Sequence, residues 1–143
     1  MRVSLDISTD PAAYPFAFDV RVRFAETDAM GVAHHSSYAT WLEAARVEFL
    51  RDLGTPYPEI RAKGLDLAVL ELFTKYQRSA RFDDIVTVRT RVSSMTAATF
   101  QMDYLLSLGV ETCAVAATVH GVVDPQGRAT RAPNWLRQLL AGA

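Results

Sequence analysis

The chain has 143 residues, half of them apolar, with 15 Lys and Arg against 16 Asp and Glu. That length suits one domain over residues 1–143 with a sizeable buried core, and the near-zero net charge excludes a general attraction to nucleic acid or to an anionic membrane. The lone Cys113 has no internal disulfide partner, no apolar run approaches the roughly 18 residues of a membrane span, and Asp6 and Asp10 interrupt any secretory leader, so the expected setting is the cytoplasm.

Residues 1–15 are expected to form a loose arm, because Pro11 and Pro15 discourage regular structure. Residues 16–24 read FAFDVRVRF. Phe16, Phe18, Val20, Val22 and Phe24 alternate with Ala17, Asp19, Arg21 and Arg23, which predicts a strand with one buried face. AETDAMGVAHHSS follows as a loop, with Gly31 free to take backbone angles closed to other residues and Ser36 and Ser37 as helix caps. From about Tyr38 to Leu53, the spacing of Tyr38, Trp41, Leu42, Ala45, Phe49 and Leu53 predicts a helix, stopped by Gly54 and Pro56.

Four strands are predicted next, over 67–77, 85–92, 99–108 and 112–123. The third aligns Phe100, Met102, Tyr104, Leu106 and Leu108; the fourth is apolar on both faces, as a covered strand should be. Gly109–Glu111 and Asp124–Gly127 are turns. A short helix closes the chain from about Pro133 to Leu140. The order of strand, long helix and four strands lacks βαβ alternation and predicts an antiparallel sheet with the helix along it. One helix cannot cover both faces of such a sheet, which points to a partner subunit.

No glycine-rich phosphate loop, G-x-S-x-G elbow, H-E-x-x-H or C-x-x-C is present, so neither a cofactor nor zinc chemistry is indicated. His34 and His35 project in different directions and make a poor metal pair, and His120 stands alone in a strand. The chemistry-bearing segment is residues 23–38. Asp28 precedes a glycine turn and then a helix start, whose unpaired N–H groups and partial positive charge favour anions. Asp28 can serve there as a catalytic carboxylate or simply cap the turn through an Asx bond. His35 can pack or cap, and Tyr38 and Trp41 share the core stripe of the helix.

The motif E-T-D-A-M-G-V-A-H-H-S-S-Y followed by W-L-E-A-A-R resembles the hotdog-fold acyl-CoA thioesterases of the 4-hydroxybenzoyl-CoA thioesterase type. The similarity runs from about Val20 to Pro133, through the weaker blocks Y-Q-R-S-A-R-F-D-D and V-D-P-Q-G-R, with Ser79 where relatives commonly place proline, a departure expected to touch a strand bend and the pocket wall and not the chemistry. The resemblance implies an α+β hotdog fold, a five-stranded antiparallel sheet wrapped around one long helix. It implies Asp28 as the catalytic carboxylate and the His35 backbone N–H as donor to the thioester carbonyl, with the His35 side chain close by. Gly31, Val32, Ser36, Tyr38 and Glu43 fall on motif positions expected to bind substrate; Glu43 can alternatively pair with Arg46. The resemblance further implies an acyl-CoA substrate and a site at a homodimer interface, with dimers pairing into a homotetramer.

A thiolate leaves without strong acid help, so one carboxylate suffices, as nucleophile or as base. Among Arg78, Arg81, Arg89, Arg91, Arg128 and Arg131, alternation puts Arg89 and Arg91 on one face and makes them the first choice for the CoA phosphates. Met30, Trp41, Phe49, Phe73 and Tyr76 can line an acyl pocket or belong to the core. The alternatives are a thioesterase acting on an acyl carrier protein, a hotdog dehydratase using His35 and Glu43, and a non-catalytic acyl-CoA binding protein.

Overall fold

The computed structural model describes residues 1–143. Its elements run β1 (Phe16–Arg21), α1 (His35–Asp52), α2 (Tyr57–Ala62), β2 (Asp66–Tyr76), β3 (Ile85–Met95), β4 (Thr99–Leu108), β5 (Glu111–Val123) and α3 (Asn134–Ala141). The strands form one five-stranded antiparallel sheet in the order β1-β3-β4-β5-β2, the hotdog arrangement. β4 and β5 sit inside the sheet and are buried on both faces. The tight β4–β5 hairpin turns through Gly109, whose φ of 62° suits a residue without a Cβ.

Alternation assigns the two faces. Val86, Val88 and Thr90 of β3, Phe100, Met102, Tyr104 and Leu106 of β4, and Ala114, Ala116 and Thr118 of β5 are buried opposite one another in register. They meet the stripe Tyr38, Trp41, Leu42, Ala45, Phe49 and Leu50 of α1. The small Ala45, Ala114 and Ala116 let helix and sheet approach closely. A polar chain crosses this core, from Arg46 Nη1 to the Tyr104 hydroxyl at 3.1 Å, on to Thr118 Oγ1 at 2.8 Å and to His120 Nε2 at 2.8 Å. Burial, with the Arg46 charge second, pushes His120 down to about 3 and holds it neutral.

The other face departs from expectation. Residues 1–15 are not loose: they lie across the sheet and are tied to it. Ser4 N–H donates to Gln101 Oε1 at 2.7 Å and Gln101 Nε2 donates to the Ser4 carbonyl at 2.9 Å. Tyr14 is buried against Leu105 and Val115, with Ile7 and Ala13 beside it. Pro11 starts a short 3-10 turn capped by Asp10, because proline is pre-set for a first helical position. Part of the face expected to need a partner is therefore covered by the chain itself.

Three further boundaries differ. β1 ends at Arg21, and Phe24, expected on the buried face, is 76 % exposed in a 3-10 turn where it meets Phe82 edge-on. α1 begins three residues before Tyr38, because His34, not Ser36 or Ser37, is its cap. β3 continues to Met95 past a bulge between Val92 and Ser94. No helix is long and apolar enough to cross a membrane.

Candidate active site

The loop between β1 and α1 is built around Glu26. Its Oε1 accepts the Arg23 N–H at 2.8 Å, and its Oε2 accepts the Trp41 indole N–H at 2.9 Å and Arg23 Nη2 at 3.2 Å. Its carbonyl accepts the His34 N–H at 2.7 Å and the Ser37 hydroxyl at 3.0 Å. Burial opposes ionisation of this side chain, but the hydrogen bonds from Arg23 and Trp41 and the Arg23 charge outweigh it and hold the carboxyl below the usual glutamate range.

Two residues on, the chain reverses. Gly31 N–H donates to the Asp28 carbonyl at 3.0 Å, and Asp28 N–H donates to the Val32 carbonyl at 2.9 Å. The turn needs Gly31, whose φ is 78°. Asp28 Oδ1 accepts the Met30 N–H at 2.8 Å and the Val32 N–H at 3.4 Å. The Asx bond considered from the sequence is therefore real, yet it occupies one oxygen only; Oδ2 has no protein partner and is available for chemistry.

The start of α1 supplies the complementary group. His34 Nδ1 accepts the Ser36 N–H at 3.1 Å and the His34 carbonyl accepts the Ser37 N–H at 2.9 Å. The His35 N–H between them makes no hydrogen bond. It is an unpaired donor at the positive end of an 18-residue helix.

A cavity of about 310 Å³ opens here, lined by Asp28, Met30, Val32, Ala33, His35, Tyr38, Tyr76, Gln77, Arg78 and Ser79. Its far wall comes from the end of β2 and the segment after it. That segment is held by Gln77 and Arg78 N–H donating to the Cys113 carbonyl at 2.9 and 3.0 Å, and by Ala33 N–H donating to the Ala80 carbonyl at 2.7 Å. Tyr38 packs at a tilt against Trp41, ring centres 4.7 Å apart, and meets Tyr76 edge-on at 4.9 Å. Burial pushes Tyr38 up to about 12, so its hydroxyl stays protonated. Burial likewise pushes the Cys113 thiol up to about 11, which leaves it inert as a nucleophile.

Of the residues singled out from the sequence, Asp28, Val32, His35 and Tyr38 come together on this cavity. Gly31 shapes the turn, and the exposed Ser36 gives its N–H to the His34 cap. Glu43 lies elsewhere, on a separate cavity of about 300 Å³ with Arg46, Tyr57 and Leu67. Arg46 bonds to Tyr104 instead of Glu43. Arg89 and Arg91 are in register with Leu105 and Asp103, on the face turned away from α1. Arg91 is engaged there by Asp103 at 3.3 Å and lies over the Tyr14 ring. The side-chain alternation that paired these two arginines also directs both away from Asp28.

The arginine that does line the cavity, Arg78, is ion-paired with Glu111. Met30 and Tyr76 belong to the cavity, whereas Trp41 and Phe49 are core. Gln77 was not foreseen, whereas Ser79, the departure expected at a strand bend and the pocket wall, does line the cavity. Nothing in the local sequence of Gln77 signals its place, since β-pairing alone carries it to residue 28. No three His, Cys, Asp or Glu side chains converge to hold a metal.

Residues 22–140 match the model of the thioesterase-like superfamily. A protein from Aquifex aeolicus with a known crystal structure is 34 % identical, superposes with a TM-score of 0.85, and is aligned over 88 % of this chain and 99 % of its own. The DHNA-CoA thioesterase of Staphylococcus aureus is 26 % identical with a TM-score of 0.82, over 88 % of each chain. The acyl-CoA thioesterase YbgC of Haemophilus influenzae is 37 % identical over 92 residues, 64 % of this chain and 68 % of its own.

Proposed function

Since the chain belongs to the thioesterase-like superfamily, we propose that it hydrolyses an acyl-CoA thioester to the free acid and CoA, with Asp28 as the reacting carboxylate. The observation that carries this reading is that one cavity is lined both by Asp28, which keeps an oxygen without a partner, and by His35, whose N–H has no acceptor. A thioester carbonyl between them meets a nucleophile on one side and an oxyanion donor on the other. Relatives and structural neighbours named as acyl-CoA thioesterases support the substrate class.

Two routes share this geometry. Asp28 Oδ2 attacks the carbonyl carbon, the C–S bond breaks, CoA leaves as thiolate and water then cleaves the mixed anhydride. Alternatively Oδ2 takes a proton from water and the resulting hydroxide attacks. In both, negative charge develops on the carbonyl oxygen beside the His35 N–H, a placement in which one donor contributes about 2.7–4 kcal/mol. The thiolate departs unprotonated, as the low basicity of a thiolate allows.

The proposal includes a homodimer. β2 is an edge strand and leaves Val69, Leu70, Leu72 and Tyr76 exposed. An apolar open edge of this kind favours pairing with a second copy. The finer assignment to the 4-hydroxybenzoyl-CoA thioesterase type rests on the residue 26–46 motif. Thiol release by purified protein over a panel of aromatic, short and long acyl-CoA substrates tests the reading, with the same acyl groups on an acyl carrier protein as a second arm. Turnover in the parent and its loss in Asp28→Asn support it; no thiol release from any substrate overturns it. Label recovered in Asp28 after a single turnover in H₂¹⁸O identifies the anhydride route with water attacking the Asp28 carboxyl carbon. Water attack at the acyl carbon puts the label in the product acid by either route, and there rapid trapping of the acyl-enzyme with hydroxylamine separates them.

A further inference from the structure

We propose that Glu26 is a positioning residue for the reaction assigned to Asp28, acting as the clamp that sets the distance between the Asp28 turn and the first amides of α1. The inference rests on that assignment for its chemistry, but its geometry stands independently.

Asp28 and the His35 N–H belong to one continuous loop, yet nothing joins them directly across the cavity. The segment between them is a tight hairpin, with Asp28 N–H donating to the Val32 carbonyl at 2.9 Å and a bridge between Thr27 and Ala33, and residue 26 closes its base. On one side, the Glu26 carboxylate grips Arg23, where the chain leaves the sheet, through its backbone N–H and its guanidinium. On the other, its carbonyl takes the N–H of His34, the residue next to the proposed donor, and the hydroxyl of Ser37, one turn into the helix. The remaining bond reaches the second turn, where the buried indole of Trp41 donates to Oε2 at 2.9 Å. Trp41 in turn supports Tyr38, whose ring lies at the cavity. Glu26 itself does not line that cavity; it faces a different depression, with Phe18, Thr40 and Trp41. It acts through the residues it holds.

A glutamate suits this role better than glutamine. Three donors converge on its two oxygens, and a carboxylate offers acceptors only. Glutamine has the same length and shape but turns an NH₂ group toward one of those donors. Glu26→Gln therefore pushes one contact apart without opening a cavity. A near-attack arrangement is sensitive to displacements of an ångström or less, so the expected cost is about tenfold or more in kcat, with KM within about threefold. Trp41→Phe removes the indole donor, so the combined Glu26→Gln, Trp41→Phe variant should lose less than the product of the two single losses.

The experiment measures kcat, KM and the acid limb of the pH profile for the parent, Glu26→Gln, Trp41→Phe and the double variant, on the acyl-CoA the parent turns over fastest. NMR hydrogen exchange of the His34 amide and the Trp41 indole is recorded alongside. The clamp predicts a lower kcat, an unmoved acid limb, faster exchange at both groups and partial recovery in the double variant. A folded Glu26→Gln protein with kcat within about twofold of the parent and unchanged exchange overturns it. Disappearance of the acid limb also overturns it, because Glu26 would then be the reacting group. Should Glu26→Gln fail to fold, Trp41→Phe is judged by kcat and by exchange of the His34 amide, the indole readout applying only where Trp41 is present. If the parent itself releases no thiol, the proposed activity fails, and the exchange rates alone decide whether Glu26 holds the loop.

Discussion

Two aspartates on opposite faces of the sheet show what separates a structural carboxylate from a reactive one. Asp103, under the N-terminal arm, is 1 % exposed and has both oxygens occupied: Oδ1 accepts Gln101 Nε2 at 2.8 Å and Ser93 Oγ at 3.0 Å, and Oδ2 accepts Arg91 Nη2 at 3.3 Å. Asp28, in the loop before α1, has one oxygen held by two backbone N–H groups and the other without a partner. The first is buried with both oxygens engaged and out of reach of a substrate. The second is oriented by the bonds it makes and free through the one it lacks. What distinguishes them is spare hydrogen-bonding capacity beside a cavity.

Substituting each in turn should give opposite phenotypes. Asp28→Asn is expected to lower kcat by on the order of a thousandfold or more, while chemical denaturation shows a stability close to the parent's. Comparable turnover in that variant would make Asp28 a second structural carboxylate. Asp103→Ala is expected to leave kcat and KM near the parent's and to lower unfolding stability by about 3 kcal/mol in urea, the scale for stripping one partner from a buried ion pair. A tenfold loss of activity at unchanged stability would erase the contrast.

The same division predicts how acid acts on the fold. His120 is held neutral, with a folded pKa of about 3 against an ordinary 6.5. Its folded pKa is depressed, so its contribution is complete above about pH 6.5 and is lost as pH falls toward 3, by up to about 1.4 kcal/mol per pH unit. Urea midpoints between pH 7 and 4 should show this slope, and His120→Asn should flatten it. An unchanged slope in the variant would mean that His120 protonates while folded. The smallest expected effect is at the arm. Tyr14→Ala should remove about 2 kcal/mol and expose Leu105 and Val115, with kcat unaltered, since the arm touches the face away from the cavity. A fall in kcat would show that the two faces are coupled.

Much of this molecule was legible from periodicity. Apolar patterning located all five strands, as alternation in β1, β3 and β4 and as a run apolar on both faces in β5, and three- and four-residue spacing located α1, because these patterns are imposed by the local geometry of the backbone against its apolar surroundings. The candidate loop was legible for a related reason: a carboxylate, a turn glycine and a helix start are consecutive, so their proximity is guaranteed by the chain. The errors came where a local signal had two outcomes. Two serines were read as the cap where His34 performs it, through a ring nitrogen that cap preferences rank poorly. A proline-bearing arm was expected to be loose, although Tyr14 and Ser4 found partners nearly ninety or more residues away. Arg89 and Arg91 were correctly placed on one face, but which face that was depended on where α1 lies.

The amino-acid sequence by itself determined the order of strands and helix, the turn at Gly31 and the short path from Asp28 to His35, since each is set by neighbours along the chain. Only the tertiary structure decided which oxygen of Asp28 stays unpaired, that Gln77, Arg78 and Ser79 close the cavity, that Glu26 reaches Trp41, and that Arg91 serves Asp103. These depend on how strands pair and which face the helix covers, and long-range pairing brings together residues whose separation along the chain carries no trace of it.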